Sequence, residues 1–338
     1  MFRKILLIVS LLIMSTTVWS KAAKEEQTTE ALTIYAYDSF TSDWGPGPQI
    51  IPLFEEKYGV KVNMVAFGDA GSVLTKIIDE KNNPVADVVI GIDNNLLAKA
   101  IKEDVLEPYT PKGLEKIEKS FKGKNRLVPF DYGYFSVVYN SEMIDTPPKS
   151  LEDLTDKKYA KSLILMDPRT SSPGLGFLLW TIAEYGDEYL NYWNRLKPSI
   201  LTITDGWSSG YGLFTQGEAS MVLSYTTSPS YHVEYEDTTK YKTVVFDNGN
   251  YIQLEGMGII KDSGNNLNAK HFIDFMLTIE AQNILPLTNY MFPVNGDVVL
   301  PKSFDGALKP EKSIELDYDV IAENYDKWLD NWAENSVK

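Results

Sequence analysis

The chain has no cysteine in 338 residues, so neither a disulfide framework nor a thiol for a lipid anchor is open to it. Histidine is nearly absent too: His232 and His271 are the only two, and without cysteine they supply a zinc or copper site poorly. Dense basic stretches are missing. The 32 basic and 47 acidic side chains leave a net charge of −15, and no cluster of Lys or Arg could grip a phosphodiester backbone. Nucleic acid is thereby excluded as a partner, while an acidic surface draws cations nearer without choosing among them. Long apolar runs are scarce. The run "ILLIVSLLIM" at 5–14 is about half of what a bilayer-spanning helix needs. It follows Arg3 and Lys4 and precedes "VWS" at 18–20, which reads as a cleavable secretory signal over 1–20.

A signal without an anchor predicts free diffusion outside the cytoplasm, and a periplasm is the compartment that retains such a chain. Residues 21–30, "KAAKEEQTTE", are polar and aperiodic and read as a leader. From there strand and helix patterns alternate. "LTIYAY" (32–37), "KVNMVAF" (61–67) and "ADVVIGI" (86–92) have strand character. Between them, 48–59 is helical with a closing glycine, and 71–82 is amphipathic. Asp93 or Asn94 is expected to cap the helix that follows the third strand. The second half repeats this grammar with strands "SLILMD", "ILTITD" and "SMVLSYT", and with a helix over 171–186 whose first turn accepts Pro173. Alternation of this kind predicts an α/β fold with mostly parallel sheets covered on both faces.

The length exceeds one ordinary core, so two domains are expected. Two strand-like runs, 126–140 and 251–262, are too long for one sheet and read as crossovers with a hinge. Close to the C-terminus, Ile321, Tyr325, Trp328, Leu329 and Trp332 lie along one helical stripe, a pattern that packs against a core.

In open α/β sheets ligands sit beyond the carboxyl ends of the strands. There the sequence places Tyr37 and Trp44 in "YDSFTSDWGPGP", Asp69 in "GDAGS", Ser171 and Ser172 in "PRTSSPG", Trp207 in "DGWSSGYG", and Tyr225, Ser228 and Tyr231 in "YTTSPSY". Aromatic faces attract a desolvated cation by about 2 kcal/mol each at best, and helix starts offer N–H groups to an oxygen-bearing tail. The set suits a flat or cationic organic molecule. Two other chemistries compete. "GWSSG" at 206–210 matches a serine nucleophile elbow, yet His232 precedes its candidate acids Asp237 and Asp262, and no oxyanion-loop motif occurs. Tyr225 and Tyr231 leave room for ferric iron bound by phenolates.

The blocks "YAYDSFTSDWGPGP", "ADVVIGIDNNLL", "VPFDYGYFSVVYN", "DPRTSSPGLGFLLW", "TDGWSSGYGLF" and "LSYTTSPSYH" resemble the periplasmic thiamine-binding proteins of bacterial thiamine ABC transporters, from about residue 32 to the C-terminal helix. The resemblance implies the two-lobed periplasmic-binding-protein fold of type II, with 31–130 and 255–338 forming one discontinuous lobe and 131–254 the other. Each lobe would be a mostly parallel sheet flanked by helices, with the ligand in the cleft between them. It further implies capture of thiamine, or its mono- and diphosphate, for delivery to an inner-membrane permease, by a monomer without catalysis, cofactor or metal. Asp69, Ala70, Ser171, Ser172, Trp207 and the segment Tyr225, Thr226, Thr227, Ser228 fall on the family's ligand-contact positions. Tyr37, Trp44 and Tyr231 fall on its aromatic walls, and Tyr290 stands where the family usually has Trp. Ala70 likewise replaces an expected glycine.

Overall fold

A computed structural model describes residues 31–117 and 125–337. The expected signal and leader, 1–30, lie outside the described residues. Among the described residues twelve strands follow in chain order: β1 (Leu32–Ala36), β2 (Val62–Ala66), β3 (Val88–Asp93), β4 (Leu106–Glu107), β5 (Val128–Asn140), β6 (Leu163–Met166), β7 (Ile200–Thr204), β8 (Met221–Tyr225), β9 (Tyr241–Thr243), β10 (Asn250–Ile260), β11 (Phe292–Pro293) and β12 (Ser313–Ile314). Their main order is β2-β1-β3-β10-β5-β8-β6-β7. The flanks are parallel, β1 with β2 and β3 on one side and β6 with β7 and β8 on the other. Between them the long strands β5 and β10 pair antiparallel with each other and with their outer neighbours.

Helical elements separate the parallel strands because the sequence switches period at each turn. The helix Gly47–Tyr58 ends where Gly59 adopts φ 68°, the left-handed cap a glycine supplies without strain. In Ser172–Tyr185 the Ser171 side chain accepts the Gly174 N–H and Pro173 occupies the first turn, as the sequence leads one to expect. This helix is apolar almost all round, with Phe177, Leu178 and Trp180 fully buried, so it forms the middle of its half. One expectation fails. The helix after β3 begins at Leu97 with Leu96 at its cap. Asp93 instead accepts the N–H groups of Asn95 (3.0 Å) and Leu96 (2.8 Å), closing a turn ahead of the helix, and Asn94 bonds β10.

The two long runs are single strands. Through Val128–Tyr134 β5 pairs with β10, and through Phe135–Tyr139 with β8, so it passes from one parallel group to the other. The C-terminal helix Tyr318–Val337 touches both. Asp326 binds Lys102 (2.7 Å) beside β3's group, whereas Trp332 meets Trp193 edge-on at 5.6 Å and the Asn335 carbonyl accepts Lys197 Nζ (2.6 Å) in the other. Ile321 and Trp332 are buried, and Tyr325, Trp328 and Leu329 pack against the core, as their spacing predicts.

Candidate functional site

A cleft of about 330 Å³ lies between the carboxyl ends of the two parallel groups. Tyr37 leaves β1 and its ring lies against Gly91, where a Cβ would sit 2.3 Å from the ring and φ is +102°. Only glycine allows this seating. Trp44 stands at the mouth, 50% exposed. The opposite wall is Trp207, stacked on Tyr211 with ring centroids 4.9 Å apart and its Nε1 donating to Ser224 Oγ (2.8 Å). Tyr225 stacks on Phe135 at 5.2 Å and donates its hydroxyl to Gln253 Oε1 (3.0 Å). Tyr231 and Tyr290 meet edge-on at 5.5 Å. Tyr290 holds φ +52°, a conformation that costs a non-glycine residue about 1–3 kcal/mol and clusters at ligand sites.

Asp69 joins the two halves. Its Oδ1 accepts the Ala70 N–H (2.7 Å), starting the helix Ala70–Asp79, while Oδ2 accepts Ser171 Oγ (2.8 Å) and the Trp207 N–H (3.0 Å) across the cleft. Burial pushes its carboxyl up, against the pull of these hydrogen bonds. The approach is tight: a Cβ on Gly71 would lie 2.6 Å from the Thr170 carbonyl. Ser208 Oγ donates to Asp38 Oδ1 (3.0 Å) alongside.

Nine of the thirteen residues expected at the site line this cleft: Tyr37, Trp44, Asp69, Ser172, Trp207, Tyr225, Ser228, Tyr231 and Tyr290. Four lie behind it. Ala70 and Ser171 are buried at the helix starts, and Thr226 and Thr227 are fully buried with Oγ1 atoms that have no hydrogen-bond partner among the described residues. Ser228 Oγ bonds Ser224 Oγ (2.7 Å) and accepts the Tyr225 N–H (3.1 Å), shaping that turn.

The floor was not anticipated. Glu255 on β10 is in register with Asp93 on β3 and Asp131 on β5, so three acids cross the sheet in one row. Glu255 lines the cleft. Its Oε2 accepts the Tyr37 hydroxyl (2.8 Å) and its Oε1 the Gln253 amide (2.8 Å). Asn289 donates to Asp131 Oδ2 (2.6 Å), to the Tyr37 oxygen (3.0 Å) and to Glu255 Oε2 (3.4 Å), yet among the described residues no donor reaches the buried Asp131 Oδ1. Among the described residues no basic side chain pairs with any of the three. Burial raises Asp93 to about 7. It also drives Asp131 and Glu255 upward, and the charge of Glu255 raises Asp131 further. The signal was in the sequence: "FDYGYF" and "IQLEGMG" interrupt apolar strands with Asp131, Gln253 and Glu255, and a buried polar residue is the informative kind.

The competing chemistries find little here. Ser208 pairs with a carboxylate, while His232 sits between Tyr211 (2.9 Å) and Glu236 (2.7 Å), its pKa lowered by burial. His271 stacks on Tyr58. Among the described residues no group of three or more His, Cys, Asp or Glu could hold a metal ion, and none of their helices is long and apolar enough to cross a membrane.

Residues 83–324 match the model of a family described as bacterial extracellular solute-binding proteins. The chain is 42% identical over 314 residues to the thiamine-binding periplasmic protein of Brucella melitensis, covering 92% of this chain and 93% of that one. Identity to the protein of the same description from Escherichia coli K12 is 39% over 304 residues, 89% and 92% of the two chains. A solved periplasmic thiamin binding protein superposes with a TM-score of 0.87 at 38% identity, over 91% of this chain and 97% of that one. The ferric binding protein from Campylobacter jejuni shares the fold at 24% identity, with a TM-score of 0.74 over 90% and 99% of the chains.

Proposed function

The chain belongs to the bacterial extracellular solute-binding protein family, and from that premise we propose that it captures thiamine in the periplasm and delivers it to the permease of an ABC importer. One observation carries the reading. The cleft sets Tyr37, Trp207, Tyr225 and Tyr231 around a space of about 330 Å³ whose floor is the Glu255 carboxylate. That volume is at the lower end of small-ligand sites. Aromatic faces and a buried acid together favour a flat cation, and thiamine is a thiazolium joined to an aminopyrimidine. Its mono- and diphosphate are further ligands, their tails meeting the hydroxyls of Ser172, Ser208 and Ser228 at the wall.

The protein works as a monomer and without a cofactor, and no bond is made or broken. Residues 1–20 direct export and are removed, leaving a chain that diffuses freely because it has no cysteine to acylate. Hinge motion along β5 and β10 opens and closes the cleft, and the closed form is what the permease recognises. Titration calorimetry with thiamine tests this, with tryptophan fluorescence as a second readout because Trp207 forms one wall. A dissociation constant at or below about 1 μM with quenching is expected; the absence of both heat and quenching at about 100 μM ligand overturns the reading.

A further inference from the structure

The Asp93–Glu255–Asp131 row needs an explanation beyond lining. Buried carboxylates are ordinarily paired with a base or richly hydrogen-bonded. Asp93 meets that rule through the Asn95 N–H, the Leu96 N–H and the Asn95 side-chain amide (3.0 Å). Asp131 does not: among the described residues no donor reaches its buried Oδ1, and the Glu255 carboxyl beside Asp131 can bond it only by keeping a proton. Glu255 has donors from Tyr37, Gln253 and, at 3.4 Å, the Asn289 amide, but all are neutral and leave its charge uncompensated. The titratable groups that interact with the pair are Tyr37 at the end of β1, Asp69 at the start of its helix, Asp93 on β3 and Tyr225 on β8. All are acids or phenols. Two carboxyl groups beside one another in such a place cannot both ionise cheaply, and one keeps a proton until a cation arrives.

We propose that Glu255 is the counter-ion for the ligand's positively charged ring, and that each capture expels to solvent a proton held on the Glu255–Asp131 pair. Binding is then coupled to proton release. The ring enters the cleft above Glu255, its charge takes over the compensation the proton had supplied, and the carboxylates remain ionised beneath it. A neutral ligand of the same shape gains nothing from this exchange, so the pair selects for charge as the aromatic walls select for flatness. Burial lifts both carboxyls, Glu255 to about 7, so the exchange falls near neutral pH.

The inference rests on the thiamine reading, and the experiment separates the two. Thiamine is titrated into the full mature chain between about pH 6 and pH 8, in pairs of buffers with different ionisation heats. The expected result is release of at least about half a proton at pH 6, little at pH 8, and affinity about tenfold weaker at pH 6 than at pH 8. Glu255→Gln removes the counter-charge; its affinity at pH 8 falls by roughly 30-fold and its pH dependence disappears. Should that variant fail to fold, Asp131→Asn is read instead. It keeps Glu255 and takes away the second carboxyl that shares the proton, so the release at pH 6 falls below that of the unsubstituted chain and the affinity ratio between pH 8 and pH 6 narrows; an unchanged release and ratio would count against the pair. Thiamine bound equally well at both pH values with under about a tenth of a proton exchanged overturns the inference and leaves the thiamine reading standing. No thiamine binding at any pH overturns both.

Discussion

Asp69, half-buried, and Asp131, fully buried, are carboxylates at the edge of one cleft, and desolvation pushes both upward, yet they are solved in opposite ways. Asp69 receives a donor from its own helix and two from the facing half. Asp131 receives one amide, keeps an oxygen without a partner, and faces a second acid. The protein itself satisfies the first, which therefore holds the halves together. The second is left short of positive charge, and that shortage is a demand the outside must meet. Burial alone does not tell a structural acid from a recognition acid; the inventory of donors does.

The contrast predicts opposite signs for two substitutions. Asp69→Ala strands the Ala70 and Trp207 N–H groups and the Ser171 hydroxyl, and should lower the stability of the free protein by about 2 to 4 kcal/mol in urea unfolding. A loss under about 0.5 kcal/mol would erase the distinction. Asp131→Asn should do the reverse, raising stability by about 1 kcal/mol at pH 8. Both partners have carboxyls raised in the folded state above the ordinary 3.8 and 4.5. Their stabilising contribution is therefore complete below those ordinary values and is lost as pH climbs through the raised ones. Urea midpoints of the unsubstituted chain should accordingly fall more between pH 5.5 and pH 8 than those of Asp131→Asn, and parallel curves would count against the assignment. The smallest effect is expected at Ser208, whose hydroxyl donates to Asp38. Ser208→Ala should change thiamine affinity less than about threefold, and a larger loss would move that hydroxyl from the rim of the clasp into the binding contacts.

The same contrast shows what a sequence displays and what it hides. Residues that follow a strand are exposed to inference, since strand ends face the cleft in this architecture. Tyr37, Asp69, Trp207 and Tyr225 stand at such ends and line the cleft, and Gly59 and Pro173 mark helix ends because their backbones permit little else. Glu255 and Asp131 sit in mid-strand, where a period-two pattern says only which face a residue takes. Their placement depends on register across three strands from distant parts of the chain, which no local pattern encodes. Thr226, Thr227, Ala70 and Ser171 show the converse: the loops were identified, but a turn's backbone decides which of its side chains reach the space and which lie behind. Asp93 deceived for a related reason, a capping residue whose oxygens close the preceding turn.

The last helix has a mechanical consequence. Pinned through Asp326 on one half and through Trp332 and Asn335 on the other, it spans the joint as a tie rod spans an arch. Parting the halves must stretch, slide or unseat it, so the amplitude of the swing is set from the back of the molecule, far from the ligand, and shortening the chain by its final turns should let the mouth gape wider.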